Sequence, residues 1–153
     1  MPKTKPQNLT PRFWEHKTLE ELTPDEWEAL CDCCGQCCLF KLEDEDSGEL
    51  YLTNVICRFL DRFTGRCRVY IHRHQAVPTC IQLNPRNVVE LRWIPPTCAY
   101  RLVAQGKPLP DWHPLISGKN IGTSKMEFLL GTRVVSEADV DKEELKSHII
   151  STI

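Results

Sequence analysis

The chain lacks several features that would assign it quickly. Its longest apolar runs are a few residues, far short of the ~20 needed to span a bilayer as a helix. The opening MPKTKPQNLTPRFW has no apolar core and no cleavage site of the kind that marks a secretory leader. There is no basic surplus: formal net charge is −2, which argues against a generic nucleic-acid binder. No repeat, low-complexity tract or phosphate-cradling glycine loop is present, and no Ser/His/Asp arrangement has supporting context. These absences predict a cytoplasmic protein with no membrane span and no readable catalytic motif. In that compartment stable disulfides are rare.

Cysteine is abundant. Five of the nine fall within the eight-residue string CDCCGQCC, namely Cys31, Cys33, Cys34, Cys37 and Cys38. The others, Cys57, Cys67, Cys80 and Cys98, follow singly. An odd count suits disulfide pairing poorly, and clustered intracellular cysteines are more often metal ligands or redox centres. Cys31, Cys34 and Cys37 step by three, so a loop or helical turn can point them at one centre. Thiolates are soft donors that select zinc, copper(I) or iron–sulfur clusters over magnesium or calcium. Cys37 and Cys38 are adjacent, and neighbouring side chains diverge on helix and strand alike, so the two are expected to serve different roles. The dense run followed by singles fits a zinc ribbon loosely. It also lacks the x₃-C-P continuation of the bacterial ferredoxin pattern. Spacing leaves zinc and iron both open.

The rest of the chain predicts an α+β fold, helix-rich and irregular. Residues 1–11 read as a flexible arm, and 12–153 as a single cysteine-rich domain stapled by metal. Thr23-Pro24-Asp25-Glu26 has the hydroxyl, proline and acids of a helix start. LFKLEDEDSGELYLTNV reads as a β-hairpin with an acidic turn. Further helices are expected from Arg12 to Leu19, over Val69–Gln75, from Asn84 with Val88, Val89 and Leu91 on one face, and over Thr97–Gln105. A strand is expected over Phe128–Val135, and a last helix capped by Ser136 or Asp139.

Three polar groups have simpler readings than ligation. The arginines at 58, 62, 66, 68 and 73 suit charge compensation beside thiolates. Glu43-Asp44-Glu45-Asp46 fails EF-hand spacing, because the twelfth position is Asn54. His113 reads as a packing residue, and His72 and His74 are secondary candidates for zinc.

The string from Cys31 to Cys38 fits C-x-x-C-G-x-C-C. With CRFLDRFTGRCRVY, PTC and CAYRLVAQGKPLPDWHPLISG downstream, the chain resembles the zinc- or iron-chelating CxxCxxCC proteins, in their YcgN-like branch. The resemblance runs from about Trp14 to Val140. It implies a chelating domain whose ligands are Cys31, Cys34, Cys37, Cys38, Cys57, Cys67 and Cys80, with Cys98 from the narrower branch. Cys33 falls at a variable position. One departure is the longer connection from Tyr70 and Arg73 through Pro78 to Cys80, where the broader family reads Y-x-x-R-P-x-x-C. Related domains in flagellin lysine methylases imply an iron–sulfur role. The expected function is metal binding by a non-catalytic carrier, sensor or scaffold, holding zinc or iron, the iron as an ion or in an iron–sulfur cluster. The alternatives are a redox protein or accessory enzyme, and a zinc-structured module that docks on protein or RNA. Expected partners are the metal ion and a protein, with nucleic acid disfavoured.

Overall fold

A computed structural model describes residues 8–120 and 123–153. It is α+β, with short helices and one small mixed sheet. No helix among the described residues is long and apolar enough to cross a membrane. The chain packs as two compact units, one formed by residues up to Cys33 together with Tyr70–Asn120, the other by Cys34–Val69 together with the C-terminal segment from 121.

The first unit holds six of the helices: α1 (Phe13–His16), α2 (Pro24–Leu30), α3 (Arg73–Ala76), α4 (Asn87–Glu90), α5 (Ala99–Ala104) and α6 (Pro114–Ser117). The helix start at Thr23 forms as a capping box. Thr23 Oγ1 accepts from Glu26 N at 3.2 Å, and Glu26 Oε1 accepts from Thr23 N at 3.0 Å. Glu26 is fully buried, and its charge is met by Lys17 Nζ at 2.7 Å and Thr10 N at 3.3 Å. Phe13, Leu19, Leu30, Val88, Ile94, Ala99, Tyr100 and Leu109 form the core, with Cys31 and Cys98 packed against it.

Two parts of the expected arm, Leu9 and Thr10, are engaged with this unit; positions 1–7 lie outside the described residues. His113 is a packing residue, as its neighbours suggest, and it also caps α6. Its Nδ1 accepts from Leu115 N at 3.0 Å, so Nε2 carries the proton donated to Leu30 O at 2.8 Å. Val88 is buried but Val89 is 68% exposed, because α4 is a single turn and adjacent positions on it point about 100° apart.

The second unit is built on the hairpin. Strand β1 (Leu39–Glu43) pairs antiparallel with β2 (Leu50–Ile56), from Leu39 opposite Ile56 to Glu43 opposite Leu50, with an irregularity between Leu39 and Lys41. Strand β2 is central: β3 (Val135–Ser136) joins it parallel and β4 (Ile149–Thr152) antiparallel. Leu39, Ile56, Leu60, Met126 and Val134 form its core, flanked by Cys38, Leu52 and Leu130.

Two sequence expectations fail here. The strand expected over Phe128–Val135 opens instead as the end of helix α7 (Thr123–Leu130) and continues as irregular chain, and only Val135 of that stretch is in a strand. Lys125, Met126, Glu127 and Leu130 favour helix intrinsically, and the i, i+4 pair Met126 and Leu130 faces the core. The last helix is replaced by 3-10 turns at Glu137–Asp139 and Lys142–His148, followed by β4. Ser136 does cap, but a 3-10 turn, and β-branched Ile149, Ile150 and Thr152 suit a strand against β2 better than a helix.

Burial alone would raise the Glu26 carboxyl. Lys17, Thr23 and Thr10 outweigh it and hold the pKa at about 2, below the ordinary 4.5. A depressed carboxyl contributes stability that is complete above the unfolded value and lost as pH falls through the folded one. Glu26→Gln should therefore cost roughly 1–3 kcal/mol at pH 7. That deficit should shrink as pH drops from 4.5 toward 2. Urea denaturation of both proteins across this range checks it; a deficit independent of pH would contradict it.

Candidate metal centre

The cysteines divide between the units. Cys31, Cys33, Cys80 and Cys98 belong to the first, and Cys34, Cys37, Cys38, Cys57 and Cys67 to the second. All nine stand as thiols rather than disulfides, Cys37 exposed and the others half-buried.

In the second unit the hairpin does the assembling. Its ladder extends one step past Leu39 and Ile56, where Cys57 N donates to Cys38 O at 2.9 Å. Residues opposite one another in an antiparallel pair have Cα atoms about 4.5–5.5 Å apart, so Cys38 and Cys57 are neighbours although nineteen positions separate them in the sequence. The chain then folds back on itself. Leu60 N donates to Cys57 O at 3.0 Å, Arg68 N to Phe59 O at 2.8 Å, and Leu60 pairs with Cys67 in an antiparallel bridge.

The electrostatics reflect the neighbouring thiols. The Cys38 thiol is pushed far above its ordinary value by the hydrogen bond shared with Cys37, then by burial, then by the charges of Cys37, Cys57 and Cys67. Cys57 is raised as well, first by burial. The adjacent Cys37 and Cys38 thiols thus share a hydrogen bond at the end of the 3-10 turn Gln36–Cys38.

Gly35 makes that turn possible. It sits at φ +75°, and a Cβ there would lie 3.0 Å from Leu60 Cδ2 and 3.5 Å from Met126 Cε. Lys41 reaches back over the turn, donating to Gln36 O at 3.1 Å and Cys37 O at 3.3 Å. Burial lowers its pKa, while the charges of Cys37, Cys38 and Cys34 pull the other way. Gln36 Nε2 is buried in the same turn with no hydrogen-bond partner.

The thiols of the first unit have different anchors. Cys31 ends α2 and Cys98 precedes α5 as its N-cap. Both act on the buried Tyr100, whose hydroxyl is raised chiefly by burial and then by Cys31, Glu28, Tyr70 and Cys98. Tyr100 Oη donates to Trp27 O at 2.7 Å, and its ring lies 4.4 Å from Trp27. Cys80 follows α3 in a turn, its N–H on Val77 O at 2.9 Å. Cys33, which the motif left out, is in the left-handed region at φ +58° and directs its N–H at Cys31 Sγ, 3.4 Å away. No sequence signal marks that contact, since it depends on a backbone conformation unusual for a residue with a Cβ. A cavity of about 640 Å³ in the same unit is lined by residues that include Trp14, Lys17, Val89 and Lys107, and by no cysteine.

Among the described residues, no group of three or more His, Cys, Asp or Glu side chains stands in place to hold a metal ion.

Comparison with known proteins agrees with the motif. A family model for CxxCxxCC, described as "Putative zinc- or iron-chelating domain", matches residues 30–99. A UPF0260 protein of Rhizorhabdus wittichii is 52% identical over 138 residues, covering 90% of this chain and 93% of its own. The chain belongs to the UPF0260 family. Another member from Azotobacter vinelandii is 49% identical over 90% of this chain and 93% of its own, and one from Rhodopseudomonas palustris is 51% identical over 91% and 82%. No solved structure matches. The matched stretch opens one residue before Cys31 and closes one after Cys98, so it encloses all nine cysteines.

Forcing an L-residue into the left-handed region costs about 1–2 kcal/mol. Gly35→Ala should lose at least that, with the Leu60 contact adding to it. Urea midpoints measure the loss, and an unchanged midpoint would show that Gly35 does not set the turn.

Proposed function

We propose that this UPF0260 protein is a metal-chelating protein that holds zinc or iron on cysteine thiolates and acts as a non-catalytic carrier, sensor or scaffold. The observation that supports the reading is the backbone pairing that sets Cys57 opposite Cys38, itself next to Cys37, with Cys34 just before the same turn and Cys67 bridged to Leu60 in the loop that follows. The donor set is all sulfur, which fits zinc and iron and does not fit magnesium or calcium. In the first unit Cys31, Cys80 and Cys98 are the candidate ligands, with Cys33 beside Cys31.

Two features of the turn suit a thiolate site. Several thiolates around one divalent ion leave net negative charge, which the Lys41 ammonium offsets from its place above Cys37. A buried donor with no acceptor costs about 1–3 kcal/mol. The Gln36 amide is such a donor, and thiolate sulfur nearby would supply an acceptor. Loading requires the thiols to lose their protons and close by side-chain rotation, so uptake releases protons and strengthens as pH rises.

When bound, zinc supplies a cross-link, and iron can also supply an electron. Structural zinc contributes ~10–16 kcal/mol in small peptides, as much as the ~5–15 kcal/mol net stability of a whole domain. The reading of 12–153 as one cooperative domain rests on such a staple, and nine cysteines with no disulfide suit a reducing compartment such as the cytoplasm.

Protein purified without oxygen should carry zinc or iron by elemental analysis. Cys57→Ser and Cys67→Ser should each lower the metal-to-protein ratio. A chelator should lower the melting temperature of the wild type; losing even ~3 kcal/mol shifts Tm by roughly 6–12 °C in a chain this size. Metal-free protein with an unaltered melting curve would overturn the proposal.

A further inference from the structure

The loop between Cys57 and Cys67 has features that chelation does not use. Phe63 stands at its tip with 92% of its surface exposed. The loop is rigid. Asp61 Oδ1 accepts from Phe63 N at 2.8 Å and Thr64 N at 3.1 Å. Asp61 N donates to Arg66 O and Gly65 N to Asp61 O, each at 2.8 Å. The one acid of the loop is thereby consumed in holding its shape. Arg58, Arg62 and Arg68 are exposed in the loop and Arg66 is half-buried; Arg58 pairs with Glu137 at 3.1 Å and Arg62 donates to Val134 O at 2.9 Å, which anchors both to this unit. Every cation in this loop is arginine, whose planar fork pairs with carboxylates in two-point fashion. A fixed aromatic among arginines is the composition of a protein-interface anchor, and its rigidity lowers the entropy lost on docking.

The opposite end of β2 carries the complement. The hairpin tip exposes Glu43, Asp44, Glu45, Asp46 and Glu49. It too is fixed: Asp44 Oδ1 accepts from Asp46 N at 2.9 Å and Ser47 N at 2.8 Å, and Gly48 N donates to Asp44 O at 2.8 Å. β2 has seven residues, which at ~3.3 Å each separates the two charged ends by roughly 20 Å. One stiff strand thus has a cationic, aromatic end and an anionic end. A two-fold axis perpendicular to the strand lays a second copy antiparallel and sets each arginine loop against the other copy's acidic tip, twice over. Half-buried Leu42 and Leu50 at the base of that tip offer Phe63 an apolar seat. A polyanion fits less well, because this unit carries nine Lys and Arg against twelve Asp and Glu.

We propose that the chain forms a two-fold homodimer in which the Phe63 loop of each copy docks on the Glu43–Glu49 tip of the other. The contact is independent of the metal reading, since backbone bonds close both turns.

Sedimentation velocity on the full chain, over a concentration series at low and high salt, tests it. The expected result is a dimer at low salt that dissociates as salt rises. Phe63→Ala should raise the dimer dissociation constant about tenfold or more, with no change in Tm because the side chain is exposed. Glu45→Lys with Asp46→Lys should also yield monomer, and mixing that variant with Arg68→Glu should restore a heterodimer. A monomer at every concentration, including one that binds an acidic peptide or a single-stranded oligonucleotide, overturns the proposal. So does a dimer that Phe63→Ala and the charge reversals leave intact.

Discussion

The structure depends on one backbone pairing. Strand β2 holds β1, β3 and β4, and the β1–β2 ladder runs on until Cys57 donates to Cys38. That last hydrogen bond turns a dense run of thiols and a distant single into neighbours. Without it the motif would be a string of sulfurs along the chain. With it, Cys38 stands beside Cys37 and opposite Cys57, after the Gly35 turn that Lys41 reaches back over.

The electrostatics follow from that geometry. Thiols brought together and half-buried resist ionising, because each thiolate raises the cost of the next and burial raises all of them. The shifts at Cys38 and Cys57 show both effects. A divalent cation reverses the balance by making the ionised form the favoured one. In the proposed chelating role, the crowding that disfavours ionisation of the metal-free thiols would favour a soft divalent ion. The first unit solves a different problem: Cys31 and Cys98 are fixed by helix ends packed on Tyr100 and Trp27, so a rigid apolar core sets their positions.

The sequence announced some of this plainly. The capping box at Thr23, the hairpin about Ser47-Gly48 and the helix over Ala99–Ala104 each rest on local chemistry, and each is present. The family was legible because cysteine spacing and neighbours agree along most of the chain. What could not be read depends on distant partners. Phe128 lies in an apolar stretch that suits strand or helix, and only the core beneath Met126 and Leu130 selects helix. Ile149–Thr152 becomes a strand because β2 has a side to offer it. The contact from Cys33 to Cys31 needed a left-handed backbone. The division of nine cysteines between two units has no signature in their spacing, since the boundary falls inside the motif itself, between Cys33 and Cys34.

The central claim is that sulfur from the β1–β2 hairpin and the Cys57–Cys67 loop holds a metal. X-ray absorption at the zinc and iron edges, on protein purified without oxygen, tests it most directly. The account predicts a first shell of sulfur alone, at about 2.3 Å for zinc, and loss of sulfur from that shell in Cys57→Ser. A shell of oxygen and nitrogen, or no absorbing metal at all, would contradict it.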